Sequence, residues 1–410
     1  VMTGDGELQE GQIWESLIKV DLKNKNNLTI IVDHNKIQSD TYVKDVADLN
    51  NLKNKFESFD CDVMEINGHD FNQIKIAFEK TSSLPKVIIA NTIKGKGVSF
   101  MEHTNMPINE QYYRYHSGAP SVDDYLKATG LIESRINNLI KEIKVKPFNP
   151  KKIYVEKIKN ESKNEKLISD YSTIIMEQGS KVSNLICLDA DLILDTGLIP
   201  FKNKYPEKYM QCGISEQDMV SQAGTLALSG FLPVVHSFAC FLTARPSEQI
   251  YNNCLQGSKV IYVGSLAGIF PSGPGSSHQA IKDVTDMSSM PDMTVIAPIN
   301  SRQLRDLFDY ALNLNSFSTY FRLTSIPYNR IDLNDDSYRI KGRGNIIKKG
   351  EKVLLISTDP VMTNFALNAI DLIKESHGWA PQLIATPWLN EIDIGWYSRH
   401  INKFDFLITM

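Results

Sequence analysis

The chain has 410 residues, 42% apolar and 22% charged, an ordinary globular composition with room for two or three domains with full-sized cores. Its 48 acidic against 44 basic residues leave a net charge of −4 and no basic block, which excludes an electrostatic footprint for nucleic acid. No run of about eighteen apolar residues is available to span a membrane, and no signal peptide is recognisable in the opening VMTGDGELQEGQ. Cys61, Cys187, Cys212, Cys240 and Cys254 are scattered, odd in number and without a CxxC, which suits a reducing compartment better than a disulfide scaffold or a zinc site. A cytoplasmic enzyme or assembly subunit is the expectation.

Strand and helix signals alternate along the chain. Residues 1–3 read as the tail of a strand entering Gly4, and residues 10–22 as a partly buried helix with Ile13, Trp14, Leu17, Ile18 and Val20 apolar. LTIIV at 28–32 is a continuous β-branched run, the pattern of a strand covered on both faces. A strand at 63–66, a helix at 71–79 and the strand KVIIA at 86–90 follow, ended by the glycines of KGKG at 94–97. From 103 to about 166 the texture becomes a polar, Lys/Asn-rich connection with short helices. The alternation then resumes with helices at 167–178, 217–228 and 247–255, and strands at 185–188, 233–236, 260–263 and 293–297. Residues 337–349 read as a linker, and a strand at 352–357 and a helix at 362–374 begin a third block. Such alternation predicts parallel sheets with helices on both faces. The apolar FDFLITM at 404–410 is a strand that stops without a turn, so the chain is expected to be the middle of a longer protein.

Gly4-Asp5-Gly6 stands at the end of a strand and the start of a helix, the edge of an open α/β sheet where ligands bind and where free N–H groups face phosphate. An ordinary acidic turn would read the same way. The second strand ends at Asp33-His34-Asn35, so Asp5 and Asn35, 30 residues apart, lie at the ends of neighbouring strands. The Asp5 carboxylate, the Asn35 amide oxygen and the Ile37 carbonyl make a hard oxygen set suited to Mg2+ or Ca2+ shared with phosphate oxygens.

GDG, a helix, an apolar strand and then Asn resembles the thiamine diphosphate motif, and GDGELQEGQIWE, DHNKIQSD and KGKGVSFME resemble transketolase specifically. The resemblance implies an α/β thiamine diphosphate-binding fold. It divides the chain into a diphosphate/metal-binding domain at 1–115 lacking its N-terminal part, a linker at 116–166, a pyrimidine-binding domain at 167–330, and the start of a C-terminal domain at 331–410. It makes Asp5, Asn35 and Ile37 metal ligands and turns Gly4 and Gly6 toward the diphosphate. Glu216 in QCGISEQDM, which on its own reads as a helix-start carboxylate, matches the glutamate that activates the aminopyrimidine ring. Phe238 and Phe241, otherwise core aromatics, match the pair packed on that ring, and Asp191 matches an aspartate beside the cofactor. Glu10 and Glu15 match carboxylates that couple two sites in a two-fold homodimer with active sites at the interface. His116 and His278 match active-site histidines, and Arg322 matches the arginine that grips a sugar phosphate.

The sequence also departs from the family. Pro274 replaces an aspartate that contacts donor hydroxyls, Leu266 and Ala267 stand where a histidine is expected, and Ala244 replaces an aromatic; Arg245 reads either as a solvated helix charge or as an anion binder. The implied activity is transfer of a two-carbon ketol unit between sugar phosphates. The alternatives are a 1-deoxyxylulose-phosphate synthase, a 2-oxoacid dehydrogenase of the E1 type, or a non-catalytic fragment or paralogue.

Overall fold

The computed structural model describes residues 1–19, 26–107, 110–143, 146 and 164–410, which fall into two compact units, Val1–Asn160 and Glu161–Met410. In the first unit β1 (Met2–Gly4), β2 (Thr29–His34), β3 (Asp62–Asn67) and β4 (Lys86–Asn91) form a parallel sheet in the order β1-β2-β4-β3. The apolar runs at 28–32 and 86–90 become its two central strands; the second is covered on both faces, whereas the first buries Ile30 and Val32 and leaves Ile31 half-buried. Helices Gly11–Lys19, Leu52–Glu57 and Phe71–Glu79 make the crossovers. The last starts where the Asp70 carboxylate accepts the N–H groups of Asn72 and Gln73. Leu8, Leu17, Val32, Phe56, Val63 and Val87 form the core, and Trp14 packs 5.3 Å from Phe56. Residues 20–22 of the expected first helix lie outside the described residues. The segment read as a polar connection with short helices instead carries one helix of 22 residues, Val122–Ile143. Its charged residues mask a helical period that its apolar face keeps.

The second unit opens with β5 (Asn164–Glu165). A six-stranded sheet follows, built from β6 (Leu185–Asp189), β7 (Tyr209–Gln211), β8 (Leu232–Phe238), β9 (Ile261–Ser265), β10 (Thr294–Ile296) and β11 (Thr319–Arg322). All neighbours are parallel, in the order β10-β11-β9-β8-β6-β7. The chain leaves β6 for β7 on one side and returns as β8 on the other, so the sheet has its switch point at the carboxyl end of β6. Leu188, Met219, Val235, Tyr262, Val295 and Tyr320 anchor the core. β12 (Tyr328–Asn329) pairs antiparallel with β5.

A third sheet, β13 (Asn345–Lys348), β14 (Val353–Ser357), β15 (Gln382–Ala385) and β16 (Phe406–Thr409), has the order β13-β15-β14-β16. The segment read as a linker at 337–349 therefore contains a strand, and β13 is the one that runs antiparallel. The chain after β15 runs along the open side of β10. The Ala297 N–H donates to the Pro387 carbonyl at 2.8 Å and the Leu389 N–H to the Val295 carbonyl at 2.9 Å. The Asn390 side chain accepts from the Val295 N–H at 2.9 Å and donates to the Met293 carbonyl at 2.7 Å. All five cysteines are free thiols. Among the described residues no helix is long and apolar enough to cross a membrane.

Candidate functional site

In the first unit β1 and β2 end side by side, and the Asp5 N–H donates to the Asp33 carbonyl at 3.1 Å. Asp5 is 1% exposed, with Oδ1 accepting from the Gly6 N–H at 2.8 Å and Oδ2 from the Lys36 N–H at 2.5 Å. Burial pushes its carboxyl up from the ordinary value, while the Lys36 and Gly6 N–H groups draw it back. The Asn35 amide oxygen accepts from the Ile37 N–H at 3.0 Å, which folds the turn so that Asp5, Asn35 and Ile37 are neighbours. A Cβ at Gly6 would stand 2.9 Å from Gln38 Cγ, so glycine is needed there, whereas a Cβ at Gly4 would meet nothing within 4 Å. One side of the turn is closed and the other leaves room for a ligand.

These residues fit a hard divalent cation. Among the described residues no group of three or more His, Cys, Asp or Glu side chains could hold a metal. The donor set is one carboxylate, one amide oxygen and one carbonyl, an oxygen-only chemistry typical of Mg2+ with phosphate supplying further ligands. An ammonium already stands on the carbonyl side: Lys94 Nζ lies 3.5 Å from the Ile37 carbonyl, also donates to the Gln38 carbonyl, and lies 2.9 Å from His116 Nδ1. Lys94 is a residue that the sequence reading did not single out, although KGKG frames it. Gly95 makes that turn possible, with φ of 81° and a Cβ position 2.1 Å from the Met101 carbonyl oxygen. A cleft of about 620 Å³ runs past Asn35, His69, Thr92, Lys94 and His116, with Ile31, Ile66 and Ile88 along its wall. His69, also missed, accepts the Ile93 N–H on Nε2 at 2.8 Å. Glu7 is a third addition, accepting from Thr3 Oγ1 and the Gly4 N–H at 3.1 and 3.2 Å. Glu10 is half-buried just before helix Gly11–Lys19, and Glu15 is exposed on it.

In the second unit Glu216 opens helix Glu216–Leu228 and is 1% exposed. Both of its oxygens accept from Arg245 Nη1, at 2.9 and 3.0 Å, and Ser237 Oγ lies 3.5 Å from Oε1. Phe238 ends β8 and Phe241 lies one helical turn on, with ring centroids 5.9 Å apart. His278 packs edge-on to both, 5.9 and 5.0 Å from their centroids, and lies 3.0 Å from Ser277 Oγ through Nδ1. Burial, then the Arg245 charge, holds the His278 imidazole below its ordinary value, so it favours the neutral form. Glu216, Phe238, Phe241 and His278 are thus one constellation.

Asp191 is buried, in left-handed backbone with φ of 61°. Its N–H donates to Gln211 Oε1 at 2.9 Å, and the same oxygen accepts the Gly213 N–H at 3.1 Å. Gln211, unnoticed in the sequence, therefore ties the loop after β6 to the loop that leads into Glu216. Below it Asp189 is wholly buried, its Oδ1 accepting from the Leu192 N–H at 2.8 Å and its Oδ2 from Thr196 Oγ1 at 2.9 Å. Arg322 is already engaged with two carboxylates. Its Nε is 2.8 Å from Asp283 Oδ2 and its Nη1 is 3.3 Å from Asp359 Oδ2, with the side chain 11% exposed. Its Nε and Nη1 thereby tie β11 to helix Asp283–Ser288 and to the turn after β14. The loop after β9 carries Pro274 exposed, and Leu266 sits in left-handed backbone with its N–H on Ser325 Oγ at 2.9 Å.

Comparison with known proteins agrees with this geometry. Residues 1–120 match the transketolase thiamine diphosphate binding domain and residues 170–329 the transketolase pyrimidine binding domain. Human transketolase is 25% identical over 388 residues, covering 91% of this chain and 60% of that protein. The 1-deoxy-D-xylulose-5-phosphate synthase of Dictyoglomus thermophilum is 30% identical over 260 residues, covering 62% of this chain and 41% of that protein. The chain therefore spans less than two thirds of the length of these relatives. The crystal structure of transketolase from Campylobacter jejuni is 21% identical, with a TM-score of 0.53, and covers all of this chain and 72% of that one, so the fold is shared. The two domain matches together take in more than half of the chain, which belongs to the transketolase family.

Proposed function

From that membership we propose that the chain acts in a transketolase-type transferase that moves a two-carbon ketol unit between sugar phosphates with thiamine diphosphate and Mg2+. The observation that carries this is the buried Glu216 beside the Phe238–Phe241 pair, a carboxylate and two aromatic faces arranged for one flat heterocycle. When bound, thiamine diphosphate supplies the nucleophilic carbon and the electron sink that carbon–carbon cleavage needs. Asp5, Asn35 and the Ile37 carbonyl hold the cation, and Gly4 and Gly6 let the backbone approach the diphosphate. Glu216, buried at the start of its helix, would hold a proton at ring nitrogen N1′. Phe238 and Phe241 orient the ring, and Asp191 flanks it. His278, favouring its neutral form, is suited to exchange a proton with a donor hydroxyl, and His116 serves near the diphosphate, steadied by Lys94. Two copies form the site, the Asp5 half from one and the Glu216 half from the other, with Glu10 and Glu15 coupling the pair. The five free thiols suit a cytoplasmic setting.

A second reading is favoured by the similarity to 1-deoxy-D-xylulose-5-phosphate synthase. Turnover of hydroxypyruvate against pyruvate, each with an aldose phosphate acceptor, thiamine diphosphate and Mg2+, separates the readings. Use of hydroxypyruvate supports ketol transfer, use of pyruvate supports the synthase, and neither leaves an assembling but non-catalytic protein.

A further inference from the structure

Arg245 makes two contacts with the residues assigned to the aminopyrimidine ring. Its Nη1 donates to both Glu216 oxygens at 2.9 and 3.0 Å, and its guanidinium carbon lies 4.1 Å from the Phe241 ring centroid. The Glu216 side chain is 1% exposed and the Arg245 side chain 34%, so the carboxylate faces inward and the guanidinium stands at the mouth. A planar group that stacks on Phe241 while donating a hydrogen bond to Glu216 is the description of a protonated nitrogen heterocycle. A guanidinium is flat, stacks on aromatic faces and donates in a fixed fork, so it reproduces both contacts.

We infer that Arg245 is a built-in competitor for the aminopyrimidine seat, holding Glu216 and the Phe241 face until the cofactor ring displaces it. This rests on the proposed roles of Glu216 and Phe241. The chemistry gives the competition a purpose. A buried carboxylate without a partner is costly, so the guanidinium stabilises Glu216 before the cofactor arrives. The guanidinium also occupies both Glu216 oxygens, so it has to withdraw before a ring nitrogen can take its hydrogen bond there. Arg245 follows directly after helix Ala239–Ala244 and precedes Pro246. The side chain can therefore swing outward from a helix end without disturbing β8 or the Phe238–Phe241 pair.

Calorimetric titration of the full chain with thiamine diphosphate at saturating Mg2+ tests the inference, with inorganic diphosphate as a probe that lacks the pyrimidine ring. If the closed form is populated ten to one, Arg245→Ala lowers the apparent Kd for thiamine diphosphate about tenfold and leaves that for diphosphate unchanged. Arg245→Lys, which keeps the charge but loses the flat fork, falls between. Equal or weaker thiamine diphosphate binding by Arg245→Ala, or an equal gain for diphosphate, overturns the inference while leaving the proposed function standing. A folded wild-type chain that binds no thiamine diphosphate overturns both.

Discussion

Replacing Asp189 by Asn should stabilise the second unit at alkaline pH and do less at acidic pH. Asp189 is wholly buried, and burial pushes its carboxyl up to about 7 despite the hydrogen bonds from Leu192, Thr196 and Gln211, with the Asp191 charge adding to the rise. Between the ordinary value of 3.8 and about 7 the folded protein holds a proton that the unfolded chain has released. The contribution is therefore complete below 3.8 and is lost as pH rises through about 7, with a full span of about 4 kcal/mol. An asparagine carbonyl can still accept from the Leu192 N–H. Its amide can donate to Thr196 Oγ1, whose own proton goes to the Leu192 carbonyl 3.0 Å away. No partner is stranded, so the variant should gain about 4 kcal/mol over wild type at pH 8 and about 1.6 kcal/mol at pH 5, the second figure being the part already lost between 3.8 and 5. Urea unfolding followed by circular dichroism from pH 5 to 8 measures this difference. A gap that does not change with pH, or a variant weaker than wild type at pH 8, would refute the account of a neutral buried carboxyl.

Glu216→Gln keeps the size and reach of the side chain but cannot share a proton, so turnover should fall by about 10²–10⁴ with the fold retained; undiminished activity would remove Glu216 from the mechanism. Asp5→Ala removes the one carboxylate of the oxygen set and should weaken Mg2+-dependent thiamine diphosphate binding, checked by calorimetry with and without Mg2+. Pro274 offers donor hydroxyls only a ring and a carbonyl, so selectivity between epimeric ketose phosphates should be weak, and Pro274→Asp should add about 1–3 kcal/mol of it, read from kcat/KM ratios. Asp283→Ala leaves Arg322 with one of its two carboxylates in a nearly closed site and should cost about 3–5 kcal/mol of stability by thermal or chemical unfolding.

The parts that sequence made legible are those in which one local signal suffices. KVIIA is buried on both faces and LTIIV on its Ile30 and Val32 face, and both became central strands, while GDG became the turn that cradles Asp5. The parts that stayed hidden depend on partners distant in sequence. β7, β11 and β15 have only three or four residues each, too few for a pattern, and are strands because neighbours hold their backbones. β13 lies at a sheet edge, where lysine and glycine are tolerated, so its composition reads as linker. Arg322 carries the same residue type whether it binds phosphate or carboxylate, and only Asp283 and Asp359, 39 and 37 positions away, decide which. Arg245, Gln211 and Lys94 were missed or left open for the same reason: what each does is set by the oxygen it meets in space.

The strand β10 is the last rung of the six-stranded sheet, and its outward-facing backbone does not remain open. The Met293 carbonyl, both polar groups of Val295 and the Ala297 N–H are taken by Pro387, Leu389 and Asn390. Another polypeptide cannot lengthen the sheet from this side without first peeling that segment away. The fastening comes from residues some ninety positions downstream, so the rim of this sheet is closed by a segment that belongs to the third block. Truncation before Pro387 therefore leaves the Met293 and Val295 carbonyls and the Val295 and Ala297 N–H groups without these partners, whereas loss of the Asn390 amide alone frees only the Val295 N–H and the Met293 carbonyl.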